Sequence, residues 1–291
     1  MSVNPALNRG LNPALKPFLI PTLSPALGRV INRGMLVALA FSCVFVTRVV
    51  RAQDSPPPAA PTATATDTAR THRGRLARHP ALSIALLGIG TTVALRPLDG
   101  PITHRLRAPA PQRSMALRNG ADVLNFVGGA GFIAASATLL GTGYLRHDAT
   151  ITQLGIRTSE AMIIGSIATR LLKGAFGRQR PFVDEKTPSV FAAGRGFTTA
   201  GRTSFPSGHT SSSFAFASAL TYALHARKPK AARYVGPLLY GSAALVGVSR
   251  VYGANHWASD VAAGATVGVM SGWLVTRKDV DISAGSVRWR F

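Results

Sequence analysis

Three short runs in the second half of the chain carry residue types and spacings suited to holding an anion and moving a proton. In Lys173-Gly-Ala-Phe-Gly-Arg-Gln-Arg180-Pro181 the two outer cations are seven positions apart. A helix that persists through the run and stops before Pro181 places both on one face. An ammonium and a planar guanidinium side by side can grip a dianion. The same pair is equally a positive cap at a helix C-terminus on a basic membrane edge. The second run, Ser204-Phe-Pro206-Ser207-Gly208-His209-Thr210, leads into an apolar stretch. A Pro-Ser-Gly turn that opens a helix offers unpaired backbone N–H groups to an anion. Ser207 adds a hydroxyl donor, Gly208 permits close backbone approach, and His209 is placed to exchange a proton. A capped helix start with a solvent-facing histidine is the plainer alternative. The third run is Ser249-Arg250-Val-Tyr-Gly-Ala-Asn-His256-Trp-Ala-Ser-Asp260. His256 and Asp260 are i,i+4, one above the other on a helix. A carboxylate bonded to one ring nitrogen fixes the tautomer and frees the other as base or nucleophile. A merely structural His–Asp pair has the same spacing.

The elements that must position these runs are apolar and recurrent. From residue 80 onward such segments fall at about 81–95, 121–145, 158–172, 210–225, 235–249 and 257–276, between loops rich in Arg, Gly and Pro. They abound in Gly, Ala, Ser and Thr, and small residues let membrane helices approach closely. The expectation is an all-α, membrane-embedded bundle of about six apolar helices, with a soluble helical bundle of unusually apolar core as the alternative. Asp122, Arg170 and Asp260 interrupt or edge these segments. Strand-like alternation occurs only near the C-terminus, at 280–282 and 287–291, as for a short hairpin around Ala284-Gly285-Ser286.

Composition agrees with that picture. Only 15% of the 291 residues are charged, against roughly 25% in ordinary soluble domains. The net charge of +22 comes from 33 Lys+Arg and 11 Asp+Glu. Such a field draws polyanions, acidic lipid headgroups and phosphorylated solutes. Without zinc-finger spacing or an aromatic-studded basic strand, nothing argues for specific nucleic-acid readout. The single cysteine, Cys43, excludes an intrachain disulfide and a cysteine-based metal site. Residues 35–46, MLVALAFSCVFV, follow a basic stretch and precede Val50-Arg51-Ala52. The run suits a signal-peptide core better than a spanning helix, which needs ~20 residues. Four regions follow: a basic N-terminus with a signal peptide (1–52), a Pro/Ala/Thr-rich disordered linker (53–79), the helical domain (80–279) and a short tail (280–291).

Taken together and in order, the three runs resemble the signature of the phosphatidic acid phosphatase type 2 and vanadium haloperoxidase superfamily: Lys-x6-Arg-Pro, then Pro-Ser-Gly-His, then Ser-Arg-x5-His-x3-Asp. Lys173, Arg180 and Pro181, Pro206 to His209, and Ser249, Arg250, His256 and Asp260 fill every specified position. The resemblance implies a metal-independent phosphatase without cofactor. In it His256 attacks phosphorus, His209 protonates the leaving oxygen and later activates water, and Asp260 orients the nucleophile. Lys173, Arg180, Arg250, Ser207 and the Gly208 N–H hold the phosphoryl oxygens. The implied substrates are lipid phosphates, phosphatidate or isoprenoid diphosphates, handled in the bacterial envelope with the site facing the periplasm.

Two other readings share the signature. A secreted soluble acid phosphatase acting on small phosphomonoesters would suit the signal peptide and the polar linker. A vanadate-dependent haloperoxidase would use the same pocket, but Asp260 four residues after His256 is typical of the phosphatase branch. Topology adds a conflict. If residues 35–50 direct export, six spans starting outside at residue 80 put the motif loops on the cytoplasmic side. The loops 146–157 and 227–233 carry the Arg and Lys expected of inside loops.

Overall fold

The computed structural model describes residues 80–277 and the backbone of two short strands, 280–283 and 286–289. The expected signal peptide and linker lie outside the described residues. Nine α-helices are described: α1 Pro80–Leu95, α2 Asp99–Arg107, α3 Pro109–Arg113, α4 Met115–Phe126, α5 Phe132–Leu145, α6 Ala149–Phe176, α7 Gly208–Arg227, α8 Pro229–Tyr252 and α9 Ala258–Arg277. A 3-10 turn at Arg96–Leu98 joins α1 to α2, and a π-helical turn at Val127–Gly131 joins α4 to α5. The six apolar segments of the sequence therefore become six long rods, two of them each made of two helices. Strands β1 (Val280–Ser283) and β2 (Ser286–Trp289) pair antiparallel, with Ser283 opposite Ser286.

This is an all-α, membrane-embedded bundle. Three stretches, Pro80–Arg107, Met115–Leu145 and Ala258–Arg277, are long and apolar enough to cross a membrane. The most apolar window of the first has no buried residue at all, and Leu87, Ile89 and Val93 stand fully outward on α1. In water that stripe would cost about 25 cal/mol per Å² of apolar surface; against lipid it costs nothing.

Small residues set the spacing of the rods. On α9, Gly264, Gly268 and Gly272 recur every four positions. A Cβ on them would come within 2.4 Å of the Ser207 carbonyl, 2.4 Å of the Ser211 carbonyl and 2.5 Å of Ser218 Cβ, respectively. Helices α7 and α9 thus run parallel, backbone almost against backbone. Helix α8 returns antiparallel to α7, with Gly236 near Thr221 and Gly247 near Thr210. Helices α5 and α6 are likewise antiparallel, with Gly155 against Leu140 and Gly143 against Thr152. The core between them is built from Phe132, Leu154, Met162, Phe216, Leu220 and Val246. The directions put the end of α6, the start of α7, the end of α8 and the start of α9 at one end of the bundle. All three sequence runs meet there.

One local expectation is corrected. The helix does not persist from Lys173 to Arg180: α6 stops at Phe176, and Gly177 follows in the left-handed region (φ 54) with its N–H bonded to the Lys173 carbonyl. A Cβ at Gly177 would sit 1.8 Å from the Ala192 carbonyl oxygen, so only glycine fits this C-terminal cap. Pro181 lies in the following loop and terminates nothing.

Candidate active site

The loop 178–207 folds over the end of the bundle and is tied down by backbone bonds. Gln179 N–H donates to the Val190 carbonyl (3.0 Å), Arg180 N–H to Gly201 (2.9 Å), Ser204 N–H to Arg178 (3.0 Å) and Phe182 N–H to Ala254 (2.9 Å). Phe176, Phe191 and Phe205 stack edge to face beneath it, with ring centroids 4.9–6.4 Å apart. These contacts return Arg180 to the neighbourhood of Lys173 although no helix connects them. Lys173 Nζ donates to the Thr203 carbonyl (2.5 Å). Arg180 donates to the hydroxyl of the same residue from Nε (3.1 Å) and Nη2 (2.9 Å). The two cations therefore converge as the spacing suggested, but through a loop.

Ser207 is the N-cap of α7, and Gly208 is its first residue. The Ser207 N–H donates to the Asp260 carbonyl (2.9 Å), locking the start of α7 to the start of α9. Its Oγ accepts from Thr210 Oγ1 (2.9 Å), which leaves its own proton to donate elsewhere. An ideal Cβ at Gly208 would lie 3.7 Å from Lys173 Cε, so the helix N-terminus and the ammonium share one site. Arg250, at the end of α8, is buried, and its Nε has no hydrogen-bond partner among the described residues. A buried guanidinium N–H of this kind calls for an acceptor. A phosphoryl oxygen is one.

His256 lies in the turn between α8 and α9, 2% exposed. Its Nδ1 is 2.6 Å from the Ser204 carbonyl oxygen. Because a carbonyl can only accept, Nδ1 must carry the proton and Nε2 keeps its lone pair. The expected bond to Asp260 is not made. Nδ1 and Asp260 Oδ2 are 3.9 Å apart, since His256 precedes α9 rather than occupying its first turn. Asp260 instead accepts from Ser204 Oγ (2.5 Å) and the Trp257 N–H (2.9 Å) on Oδ2, and from Arg178 Nη1 (2.5 Å) on Oδ1. Its influence on His256 passes through Ser204, whose hydroxyl it holds while the carbonyl of the same residue holds the ring. Burial, and then the charges of Lys173, Arg180 and Arg250, hold the His256 pKa well below histidine's ordinary range; the Ser204 carbonyl only partly opposes this. Burial also lowers the Arg180 pKa, while Asp260 pulls the other way. The surroundings therefore favour the neutral form of this histidine, near three cations.

All eight residues singled out from the sequence belong to this one end of the bundle. Four more emerge only in three dimensions. Arg178, 1% exposed, bridges Asp260 and Asp99, both fully buried. It also donates to Ser259 Oγ (2.7 Å) and the Pro188 carbonyl (2.6 Å), and lies over the rings of Phe191 and Trp257. Asp99 accepts from the Ser259 N–H (2.8 Å) and hydroxyl (2.6 Å). Ser204 and Thr203 serve as described above. One signal for Asp99 was present: a carboxylate directly after a long apolar run is costly in a membrane unless paired.

The model of the PAP2 superfamily matches residues 155–282, from the second turn of α6 into β1, and so includes all three runs. Residues 155–282 are thus similar to the PAP2 superfamily. Lipid A 1-phosphatase of Porphyromonas gingivalis is 39% identical over 71 residues. That alignment covers 24% of this chain and 15% of the relative, so only a short part of that protein is shared. Among solved structures, the first transmembrane PAP2 type phosphatidylglycerolphosphate phosphatase from Bacillus subtilis superposes with a TM-score of 0.54 at 22% identity, covering 72% of this chain and all of that one. Aquifex aeolicus LpxE gives 0.46 at 20% identity, covering 62% and 95%. The helical fold shared with the Bacillus subtilis structure thus extends well beyond the residues that carry the motifs.

Proposed function

We propose that this protein is a PAP2-type, metal-independent phosphatase that hydrolyses the phosphate monoesters or diphosphates of membrane lipids through a phosphohistidine. The observation that carries the reading is the state of His256: proton pinned on Nδ1 by a carbonyl, Nε2 free, and three cations around it. Nε2 attacks phosphorus as the bond to the leaving oxygen breaks, and His209 gives that oxygen its proton. Water then loses a proton to His209 and attacks the phosphohistidine, releasing phosphate and restoring Nε2. Lys173, Arg180, Arg250, the Ser207 hydroxyl and the N–H groups opening α7 take the equatorial oxygens. Phosphoryl transfer asks a protein chiefly for such positioning and charge stabilisation.

A lipid substrate is supported by the outward apolar face of α1 and by the three helices able to span a membrane. The lipid phosphatases named among the similar proteins point the same way. The soluble acid-phosphatase reading leaves that apolar face unexplained. The periplasm-facing site rests on the family resemblance alone, because both ends of the bundle are basic: Arg146, Arg227, Lys228, Lys230 and Arg233 stand away from the site, and Arg105, Arg107, Arg113, Lys186, Arg195 and Arg202 on its side.

The test is hydrolysis by purified protein, in detergent with chelator, of a panel of phosphatidate, a long-chain isoprenoid diphosphate and a small sugar phosphate. Phosphate release from the lipids, undiminished by chelator and much faster than from the sugar phosphate, is expected. Release from the sugar phosphate alone would favour the soluble-phosphatase reading.

A further inference from the structure

The turn between α4 and α5 holds a feature that the phosphatase reading does not use. Val127–Gly131, sequence VGGAG, is one π-helical turn inside a rod that otherwise spans Met115–Leu145. Such turns insert an extra residue into a helix and recur at functional sites. This one abuts His209. An ideal Cβ on Gly129 would lie 3.1 Å from His209 Nε2 and 3.6 Å from Cδ2. One on Gly128 would lie 3.4 Å from His209 Cβ and 2.3 Å from Val246 Cγ1. The turn is therefore wedged between the imidazole on one side and α8 on the other. Gly120 and Gly141 on the same rod meet no such demand, since a Cβ there would find nothing within 4 Å, while Gly143 packs against Thr152, away from the histidine.

We propose that Gly129 is a positioning residue for His209. Its bare Cα sets the stance of the ring and keeps the space beside Nε2 open for the oxygen of the leaving alcohol. This rests on the phosphatase reading, in which His209 protonates that oxygen. A methyl group at Gly129 pushes the ring aside by a few tenths of an ångström, and proton transfer is sensitive to such displacement because donor and acceptor must meet at hydrogen-bond distance. The wall beside Gly129 belongs to a membrane-spanning rod whose neighbours Val123 and Ile133 face outward. An alcohol departing there leaves along an apolar surface, as a lipid alcohol would.

General acid catalysis matters most when the leaving group is a poor one. An alkyl alcohol needs the proton, whereas p-nitrophenolate leaves without it. Purified full-length Gly129→Ala should therefore lose at least ~10-fold more kcat/KM on dioctanoyl phosphatidate than on p-nitrophenyl phosphate, given that a general acid contributes ~10²–10⁴ in rate. Gly141→Ala should change neither. In a His209→Ala background the Gly129→Ala change should add no further loss on phosphatidate. Val246→Ala, which loosens the wedge from the far side without adding bulk, is the second variant and should show the same substrate-selective loss. Equal losses on both substrates, no loss on phosphatidate, or full additivity with His209→Ala would each overturn the proposal while leaving the phosphatase reading intact. Wild-type protein that hydrolyses neither substrate would remove that reading, and this one with it.

Discussion

The Nδ1–H of His256 is committed to a backbone carbonyl, and this governs how the residue responds to pH. A carboxylate partner would stabilise the imidazolium and raise its pKa. A carbonyl does so only weakly, and burial with Lys173, Arg180 and Arg250 drives the value down. In the proposed mechanism His256 attacks in its neutral form, so activity should persist as the pH falls below histidine's ordinary value of about 6.5. Removing one of the cations lets the proton return more easily. In Arg180→Gln the acid limb of kcat/KM, which reports the free enzyme, should move to higher pH, while the plateau drops by ~10²–10³ as for loss of one transition-state donor. A limb that stays in place or moves down would show that Arg180 does not act on His256. At this scale the sequence spacing revealed which residue types could meet but not the bonds between them. His256 and Asp260, i,i+4, suggested a direct pair. The turn before α9 instead separates them and brings Ser204 between, a contact 52 positions away along the chain that no local pattern encodes.

The elements are held in register by one buried charged cluster. Arg178 comes from the loop after α6, Asp99 from the first turn of α2, and Asp260 from the first turn of α9, with Ser204 reaching in ahead of α7. A network so fully desolvated contributes little over an apolar core of the same shape, but it is unforgiving of partial removal. Arg178→Met leaves Asp99 and Asp260 as neighbouring buried carboxylates without their cation. The expected cost is about 3–5 kcal/mol, seen as a large fall in thermal stability in detergent. A Met variant as stable as the native protein would contradict this account of the cluster. The six rods were legible because each is a long apolar segment bounded by polar loops. The break at Gly177 was not, because the Lys-x6-Arg spacing fits both a continuous helix and a helix followed by a returning loop. What decides between them is the Ala192 carbonyl, packed against Gly177 from fifteen residues downstream.

At the scale of the whole molecule, the six rods place residue 80 and residue 277 at the end opposite the site. If all six cross the membrane with the site outside, residue 80 starts inside. An uncleaved crossing by the N-terminal apolar run would then have to start from the outside, whereas an ordinary export signal would reverse the bundle. That tension, visible in the sequence as a conflict between the export signal and the count of spans, is decided by where the loop 178–207 lies. With Cys43 replaced by Ser, a cysteine at the exposed Ala193 in that loop should react with an impermeant maleimide in intact cells, and one at His147 should not. Labelling of Ala193→Cys only after permeabilisation would place the site inside. The small-residue packing of α7, α8 and α9 brings their backbones close together, and three distant runs of sequence meet at one end of them.

The account rests above all on His256 as the atom that takes the phosphoryl group. Rapid quenching of the purified protein with phosphatidate labelled in its phosphate should trap a labelled protein that is stable to alkali, labile to acid, and absent from His256→Ala, which should also lack turnover. Label stable to acid, label retained in His256→Ala, or near-native hydrolysis by that variant would contradict the account.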